Sequence, residues 1–418
     1  MTTQGFPLAN KGVACQLKWT WNTLRLSEAT SACCHRVNPV EVTVENFQNI
    51  HNHPVWVKHR KMQLQGIFPQ EGCDYCEKIE KAGGISERLM RSTQSNIYPP
   101  ELDLDPNATT VSPRVLEVFL NNVCNLACVY CDESNSSRIQ SENTKFGHLP
   151  VDNENKHIIP IVPQTKNYQD LLESFYVFLN DNYRDLRQLN VLGGEPFYQS
   201  EFFDLVDFIC SKKNPDLCVS IVSNLMVKKT VIEKFISKIK PALAARRLKR
   251  VDITASIDCF GKEQEYIRYG ISLKQWKENF EFLQQYPWLY LSINNTICSL
   301  SIEKMPDLLN YINKRRQIGK INHAFQLVTD KKHLHPDIFG AGYFNAHFQK
   351  ILDLMPEDDE WNTKSKQYMA GISTYLDQCE EDLQQQHYLH LYLDEIDRRR
   401  NLDWKHVFPW LANHFGIC

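Results

Sequence analysis

Cys124, Cys128 and Cys131 stand at spacings of four and three in Cys124-Asn125-Leu126-Ala127-Cys128-Val129-Tyr130-Cys131. Three thiolates this close together suit a metal. A 4Fe–4S cube ordinarily takes one protein ligand per iron. Three cysteines would hold three irons and leave the fourth open to a substrate, as catalytic metal sites keep one position open. A tetrahedral zinc would want a fourth Cys or His close by, and Asp132-Glu133-Ser134 offers neither.

A second group lies earlier: Cys15, the adjacent Cys33 and Cys34, and Cys73 and Cys76 within Gly72-Cys73-Asp74-Tyr75-Cys76. If one of the adjacent pair is used, four ligand positions are available. Four cysteines close a cluster completely. The expectation is an auxiliary cluster held by protein alone, or a structural zinc, with Cys33 and Cys34 equally open as the ligand. Cys210, Cys218, Cys259, Cys298, Cys379 and Cys418 are scattered singly, as small buried hydrophobes are.

These residues need elements to hold them. The chain has 418 residues, enough for two or three domains. Its 42% hydrophobic and 23% charged composition is that of a globular protein. The formal net charge of -3 argues against a partner gripped mainly through phosphates. Two basic runs, Arg246-Arg247-Leu248-Lys249-Arg250 and Arg398-Arg399-Arg400, read as solvated faces. No apolar run approaches the roughly 18 residues that span a bilayer. The N-terminus shows no secretory pattern, so the expected location is cytoplasmic, where 14 cysteines do not build a disulfide framework.

From residue 114 onward, strand-like runs at 114–120, 187–192, 217–223, 250–257, 288–297 and 321–328 alternate with helical patterns at 168–183, 200–212, 229–240, 272–285 and 303–316. Repeated β–α alternation predicts a parallel sheet with crossover helices. Six strands fit a partial (β/α)6 barrel of the TIM type better than a closed eight-fold one. An irregular insertion is expected at 132–166. Before it, 1–100 reads as a cysteine-rich module with short strands near Trp19–Leu26 and Val40–Val44 and a helix at 54–66 stopped by Gly66. A linker at 92–113 forms the first boundary, and 331–418 reads as a C-terminal helical extension whose aromatic tail docks on the body.

The CxxxCxxC run after a first strand, with Tyr130 before the third cysteine, resembles the radical S-adenosylmethionine enzymes. The resemblance implies that the open iron chelates S-adenosylmethionine, and that one electron cleaves it to a 5′-deoxyadenosyl radical that takes a hydrogen atom from a substrate. It also implies roles for residues in strand order. Gly193-Gly194-Glu195-Pro196 matches the segment that contacts the methionine amino group. Ser223 and Asn224 end the third strand, and Ser256 and Asp258 end the fourth, where the family reads the ribose. Arg268 matches the arginine that binds the methionine carboxylate in many peptide-modifying members. Asn295 lies on the fifth strand, and Gln326 and Val328 near the sixth would flank adenine.

The earlier cysteines resemble the twitch module, a half-length SPASM auxiliary-cluster module, here placed before the barrel. The stretch Met62-Gln63-Leu64-Gln65-Gly66-Ile67-Phe68-Pro69, the stretch Glu80 to Arg88, and Leu393 to Arg400 followed by Phe408-Pro409 are similar to a subgroup with that layout. This implies maturation of a ribosomally made precursor peptide, with the layout most similar to spliceases that excise a tyramine unit. Peptide epimerases and crosslinking cyclases are the nearest alternatives, and an epimerase would need a thiol donor such as Cys259, Cys298, Cys379 or Cys418. A radical enzyme acting on tRNA or a small molecule, and a non-catalytic Fe–S or zinc scaffold, are further readings. No leader-recognition fold is visible in the chain. The implied partners are therefore a separate leader-recognition protein and an electron donor such as flavodoxin or ferredoxin.

Overall fold

The computed structural model of the chain describes residues 13, 15–26, 29–31, 40–81, 86, 88–89, 108–149 and 167–417. Cys33, Cys34 and Cys418 lie outside the described residues, as does most of the stretch from Glu80 to Arg88.

The strands in chain order are β1 (Trp21–Arg25), β2 (Ala29–Ser31), β3 (Val40–Glu41), β4 (Val115–Phe119), β5 (Ala127–Cys128), β6 (Gln188–Leu192), β7 (Cys218–Ser223), β8 (Arg250–Ser256), β9 (Arg268–Tyr269), β10 (Tyr290–Ile297) and β11 (Ile321–Leu327). Nine of them form one sheet in the order β11-β10-β8-β7-β6-β4-β1-β2-β3. The seven from β11 to β1 run parallel, while β2 and β3 add antiparallel at the edge. The six strands expected after residue 114 are β4, β6, β7, β8, β10 and β11, and each lies beside the one before it. Helices Tyr168–Asn182, Ser200–Ser211, Lys229–Ala244, Leu273–Leu283 and Met305–Arg316 connect them.

Register separates the two faces of this sheet. Leu116, Val118, Leu189, Val191, Val219, Ile221, Val251, Ile253, Leu291 and Ile293 join one apolar core with Phe175, Phe202, Phe235, Trp276 and Phe280 of the helices. Burying each such side chain contributes about 1.5–3 kcal/mol. On the other face Glu117 pairs with Asn190, Asn190 with Ser220 and Ser220 with Asp252. Thr254 pairs with Ser292, and Ser292 with Asn322. Parallel sheets are normally covered by apolar contacts on both faces. Here the second face is polar, and most of those residues are half-buried.

The early segment departs from its expected separateness. β1 pairs with β4 in parallel along its whole length, so the sheet crosses the linker at 92–113 and does not end there. The expected helix at 54–66 spans Pro54–Leu64, with Gly66 at φ 80° beyond it. A helix at Gln70–Lys81 was not expected, and it carries both Cys73 and Cys76. Within the insertion, Ser137–Phe146 is a helix capped by the Ser136 hydroxyl, which accepts from the Ile139 amide.

A second core joins the C-terminal helices Asn345–Leu354, Glu360–Leu376 and Leu383–Arg400 to Val129, Ile267, Phe325 and Val328. Trp404, Phe408 and Leu411 of the tail are fully buried in it, so the tail docks. The basic run at its end is a correction to the sequence reading. The side chains of Arg399 and Arg400 are only 2% and 5% exposed, because Glu395 and Glu142 hold them, while Arg398 alone is solvated. No helix among the described residues is long and apolar enough to cross a membrane.

Candidate metal and ligand site

The chain leaves β4 at Phe119 and enters a loop whose peptides are tied down on several sides. Asn121 Oδ1 accepts the Val123 amide at 2.9 Å, and Ser137 Oγ accepts the Cys124 amide at 3.1 Å. Arg138 donates to the Asn125 carbonyl at 2.8 Å, and Ser136 to that of Leu126 at 2.7 Å. β5, carrying Cys128, pairs antiparallel with β9, so that Cys128 stands opposite Arg268. The Val129 amide donates to the Ile267 carbonyl at 2.8 Å, and the Cys131 amide to that of Cys128 at 3.1 Å.

Cys124, Cys128 and Cys131 are electrostatic neighbours. Burial and then the Cys128 charge push the Cys124 thiol up to about 12. Burial raises Cys128 against the pull of Arg268, and raises Cys131 with Asp132, Cys128 and Cys124 adding to it. Such thiols become thiolates only when a cation compensates them, and metal binding does that. Among the described residues no three His, Cys, Asp or Glu side chains converge on the point a single ion would occupy. Cys124, Cys128 and Cys131 are the residues of this loop that could hold a metal group, each through its own thiolate.

The Gly193-Gly194 step after β6 brings Glu195 against this loop. Gly193 has φ 80° and Gly194 φ 52°. A Cβ at Gly194 would lie 2.2 Å from the Val123 carbonyl oxygen, so only glycine allows the approach. The Glu195 amide then donates to that same oxygen at 2.8 Å. Glu195 Oε1 accepts from the Ser223 hydroxyl at 2.8 Å and the Phe197 amide at 3.1 Å, while Oε2 accepts from the Asn224 amide at 2.6 Å. Burial lifts the Glu195 carboxyl to about 7 despite these donors. Asn224 Nδ2 faces Cys124 Sγ at 3.9 Å and donates to Asn125 Oδ1 at 2.9 Å.

A buried ion pair closes the other side. Arg268 Nε and Nη2 donate to the two Asp258 oxygens at 2.8 and 2.9 Å, and the Tyr130 hydroxyl donates to Asp258 Oδ2 at 2.7 Å. The Thr296 amide takes Oδ1 at 2.8 Å. Burial works against the Arg268 charge, but Asp258 and Tyr130 outweigh it and hold the guanidinium well above its usual value. With both oxygens engaged, Asp258 fixes Arg268 and leaves its Nη1 outside the pair. Asn295 Nδ2 donates to the Asp258 carbonyl at 2.6 Å, and its buried Oδ1 has no hydrogen-bond partner.

The structure therefore brings together Cys124, Cys128, Cys131, Tyr130, Gly193, Gly194, Glu195, Ser223, Asn224, Asp258, Arg268 and Asn295. Ser256 ends β8 beside Asn294 of β10. Gln326 is exposed opposite Thr296, whereas Val328 is packed into the C-terminal core. Cys259 and Cys298 are fully buried in that core, and Cys379 Sγ lies 3.3 Å from the Tyr375 carbonyl.

Cys15 and Cys73 meet through Gln63. Its Oε1 accepts the Cys15 amide at 3.1 Å, and its Nε2 donates to Cys73 Sγ at 3.6 Å. Cys73 and Cys76 are both buried, one turn apart on their helix. Sequence reasoning missed Gln63, Arg138 and Arg400 as site neighbours. Gln63 was visible within the Met62–Pro69 stretch, but the contacts of the two arginines are set only by the fold. No protein-family model matches the chain, and no curated protein matches it.

Proposed function

We propose that this chain is a radical S-adenosylmethionine enzyme that modifies a ribosomally made precursor peptide. One observation carries the reading: the three-cysteine loop, the Glu195–Ser223–Asn224 bonds and the Arg268–Asp258 pair meet at the C-terminal ends of neighbouring parallel strands. Barrel-type folds place their chemistry there. The strand order supports a partial (β/α)6 barrel. With right-handed crossovers, strands added always on the same side put every helix on one face. The remaining polar face then lines an interior.

Cys124, Cys128 and Cys131 would hold three irons of a 4Fe–4S cluster, which with S-adenosylmethionine on its fourth iron supplies a carbon radical able to remove a hydrogen atom. Glu195, once ionised, accepts from the ligand's ammonium group. Arg268 offers Nη1 to its carboxylate, and Asp258 and Tyr130 keep that guanidinium in place. The unused Oδ1 of Asn295 is an acceptor for a ligand hydroxyl or amine. The polar face from Glu117 to Gln326 supplies hydrogen-bonding groups for a long, polar substrate such as a peptide. In the same reading Cys15, Cys73, Cys76 and one of Cys33 and Cys34 hold an auxiliary 4Fe–4S cluster. A separate leader-binding protein delivers the peptide, and a flavodoxin or ferredoxin delivers electrons. The splicease reaction, loss of a tyramine unit, rests on the similarity of the early segment to N-terminal twitch modules.

The test is anaerobic reconstitution followed by assay of 5′-deoxyadenosine with a candidate precursor peptide, with and without the helper protein. Release should rise with the peptide, and mass spectrometry of the product separates tyramine excision from epimerisation or crosslinking. A rise with tRNA or a small metabolite, but with no peptide, would overturn the assignment.

A further inference from the structure

The last turn of helix Leu383–Arg400 lies behind the cysteine loop. The Arg400 side chain is 5% exposed. Its Nε and Nη2 hold Glu142 at 3.0 and 2.9 Å, and Glu142 belongs to helix Ser137–Phe146, which follows the loop directly. Its Nη1 is buried with no hydrogen-bond partner. The guanidinium sits over the Tyr269 ring, 5.0 Å from the centroid, and Arg138 approaches the same ring at 5.1 Å. Tyr269 pairs with Ala127, the residue before Cys128. Two turns back along the helix, the Tyr392 hydroxyl donates to the Val129 carbonyl, the residue after Cys128.

We propose that Arg400 is a positioning residue for the metal centre at Cys128, bracing the loop from behind and raising the reduction potential of the cluster bound there. This rests on the radical S-adenosylmethionine reading. Reduction adds negative charge to a group already surrounded by thiolates. A nearby cation in a dry setting favours the reduced form, and a nearby carboxylate disfavours it. Arg268, paired with Asp258, stands opposite Cys128, while Arg400, paired with Glu142, and Arg138 both lie against Tyr269, which pairs with Ala127. Arg268 and Arg400 each meet their carboxylate through Nε and Nη2, and Arg400 in addition keeps its Nη1 buried with no hydrogen-bond partner. A brace through Tyr392 and Arg400 also explains why a helix so far along the chain ends in buried arginines.

The experiment is a redox titration of the anaerobically reconstituted full chain, followed by electron paramagnetic resonance. The signal to follow is the one that S-adenosylmethionine perturbs, which belongs to the cluster with the open iron. Arg400→Gln should keep the iron and shift the midpoint to more negative potential. Arg400→Lys should restore most of the shift. Glu142→Gln should move the midpoint the opposite way. An unshifted midpoint in Arg400→Gln with full iron content would overturn the inference. If Arg400→Gln loses its iron, Glu142→Gln decides: a positive shift supports the tuning role, and no shift refutes it. A wild-type protein with no signal sensitive to S-adenosylmethionine would overturn the reading beneath it, a different and separately visible result.

Discussion

Cys15 packs where β1 and β4 begin, against Leu17, Trp21 and Val115, whereas Cys124 follows the point where β4 ends. A five-residue strand at about 3.3 Å per residue puts roughly 16 Å between those two ends. The two cysteine groups differ in what surrounds them. The early one lies among apolar side chains and on a helix, with Gln63 bridging two of its members. The later one lies in a loop tied by side chains and backbone, with Arg138, Arg268 and Arg400 close behind it. A loop held by the protein keeps its shape without a metal, and its charges are in place before thiolates form. On the proposed reading, a cysteine group in apolar surroundings depends on its metal for much of its own folding energy. The contrast teaches that the two sites should fail in different ways.

The largest expected effect comes from Cys124→Ala, Cys128→Ala and Cys131→Ala together. About half the iron should be lost, with one of two 4Fe–4S clusters gone. All cleavage of S-adenosylmethionine should go with it, as chromatography of 5′-deoxyadenosine would show. Persistent cleavage would break the comparison at its centre.

Cys73→Ala or Cys76→Ala should act on the other side. Soluble yield and iron content should fall, while the later loop still binds S-adenosylmethionine, measured by the change in its resonance signal. Equal yield and unchanged iron in the double variant would remove the auxiliary cluster from the account.

Asp258→Asn comes next. It leaves the buried Arg268 charge without its partner, which typically costs about 3–5 kcal/mol. Denaturant unfolding should show that loss, and affinity for S-adenosylmethionine should drop with it.

The smallest effect concerns pH. The Glu195 carboxyl is raised to about 7 by burial. A carboxyl raised on folding favours the folded state below its ordinary value, and that contribution is lost as pH climbs through about 7. Binding of a ligand ammonium runs the other way, strengthening as Glu195 ionises. Glu195→Gln should flatten both trends, which thermal melts and ligand titrations between pH 5 and pH 8 would check.

Much of the later region is legible in the sequence for a local reason. Alternating runs such as Val219 and Ile221 in β7, or Val251 and Ile253 in β8, sit between helices of ordinary length, Gly193 follows its strand directly, and Cys124 comes in the loop just beyond its own. The early region reads poorly. In Gln70–Lys81 a glycine stands in the first turn and the apolar positions include two cysteines, so the segment looks like a ligand loop and not a helix. Arg399 and Arg400 look solvated because charge runs usually are, while the partner that buries Arg400 lies 258 residues away at Glu142. Asp258 shows as a ligand contact by position, but its engagement by Arg268, Tyr130 and Thr296 depends on three separate segments.

The parallel pairing of β1 with β4 also governs how the chain can be assembled. Thr23 Oγ1 donates to Glu117 Oε1 across 94 residues. During synthesis the edge of the first strand that faces away from β2 must therefore wait until the fourth strand has emerged. Closing a loop of that length is slow compared with forming local helices. Until it closes, β4 offers a bare edge to any other strand, the usual route to aggregation. Cutting the chain between Lys81 and Ala108 is accordingly expected to yield two sticky fragments in place of two modules.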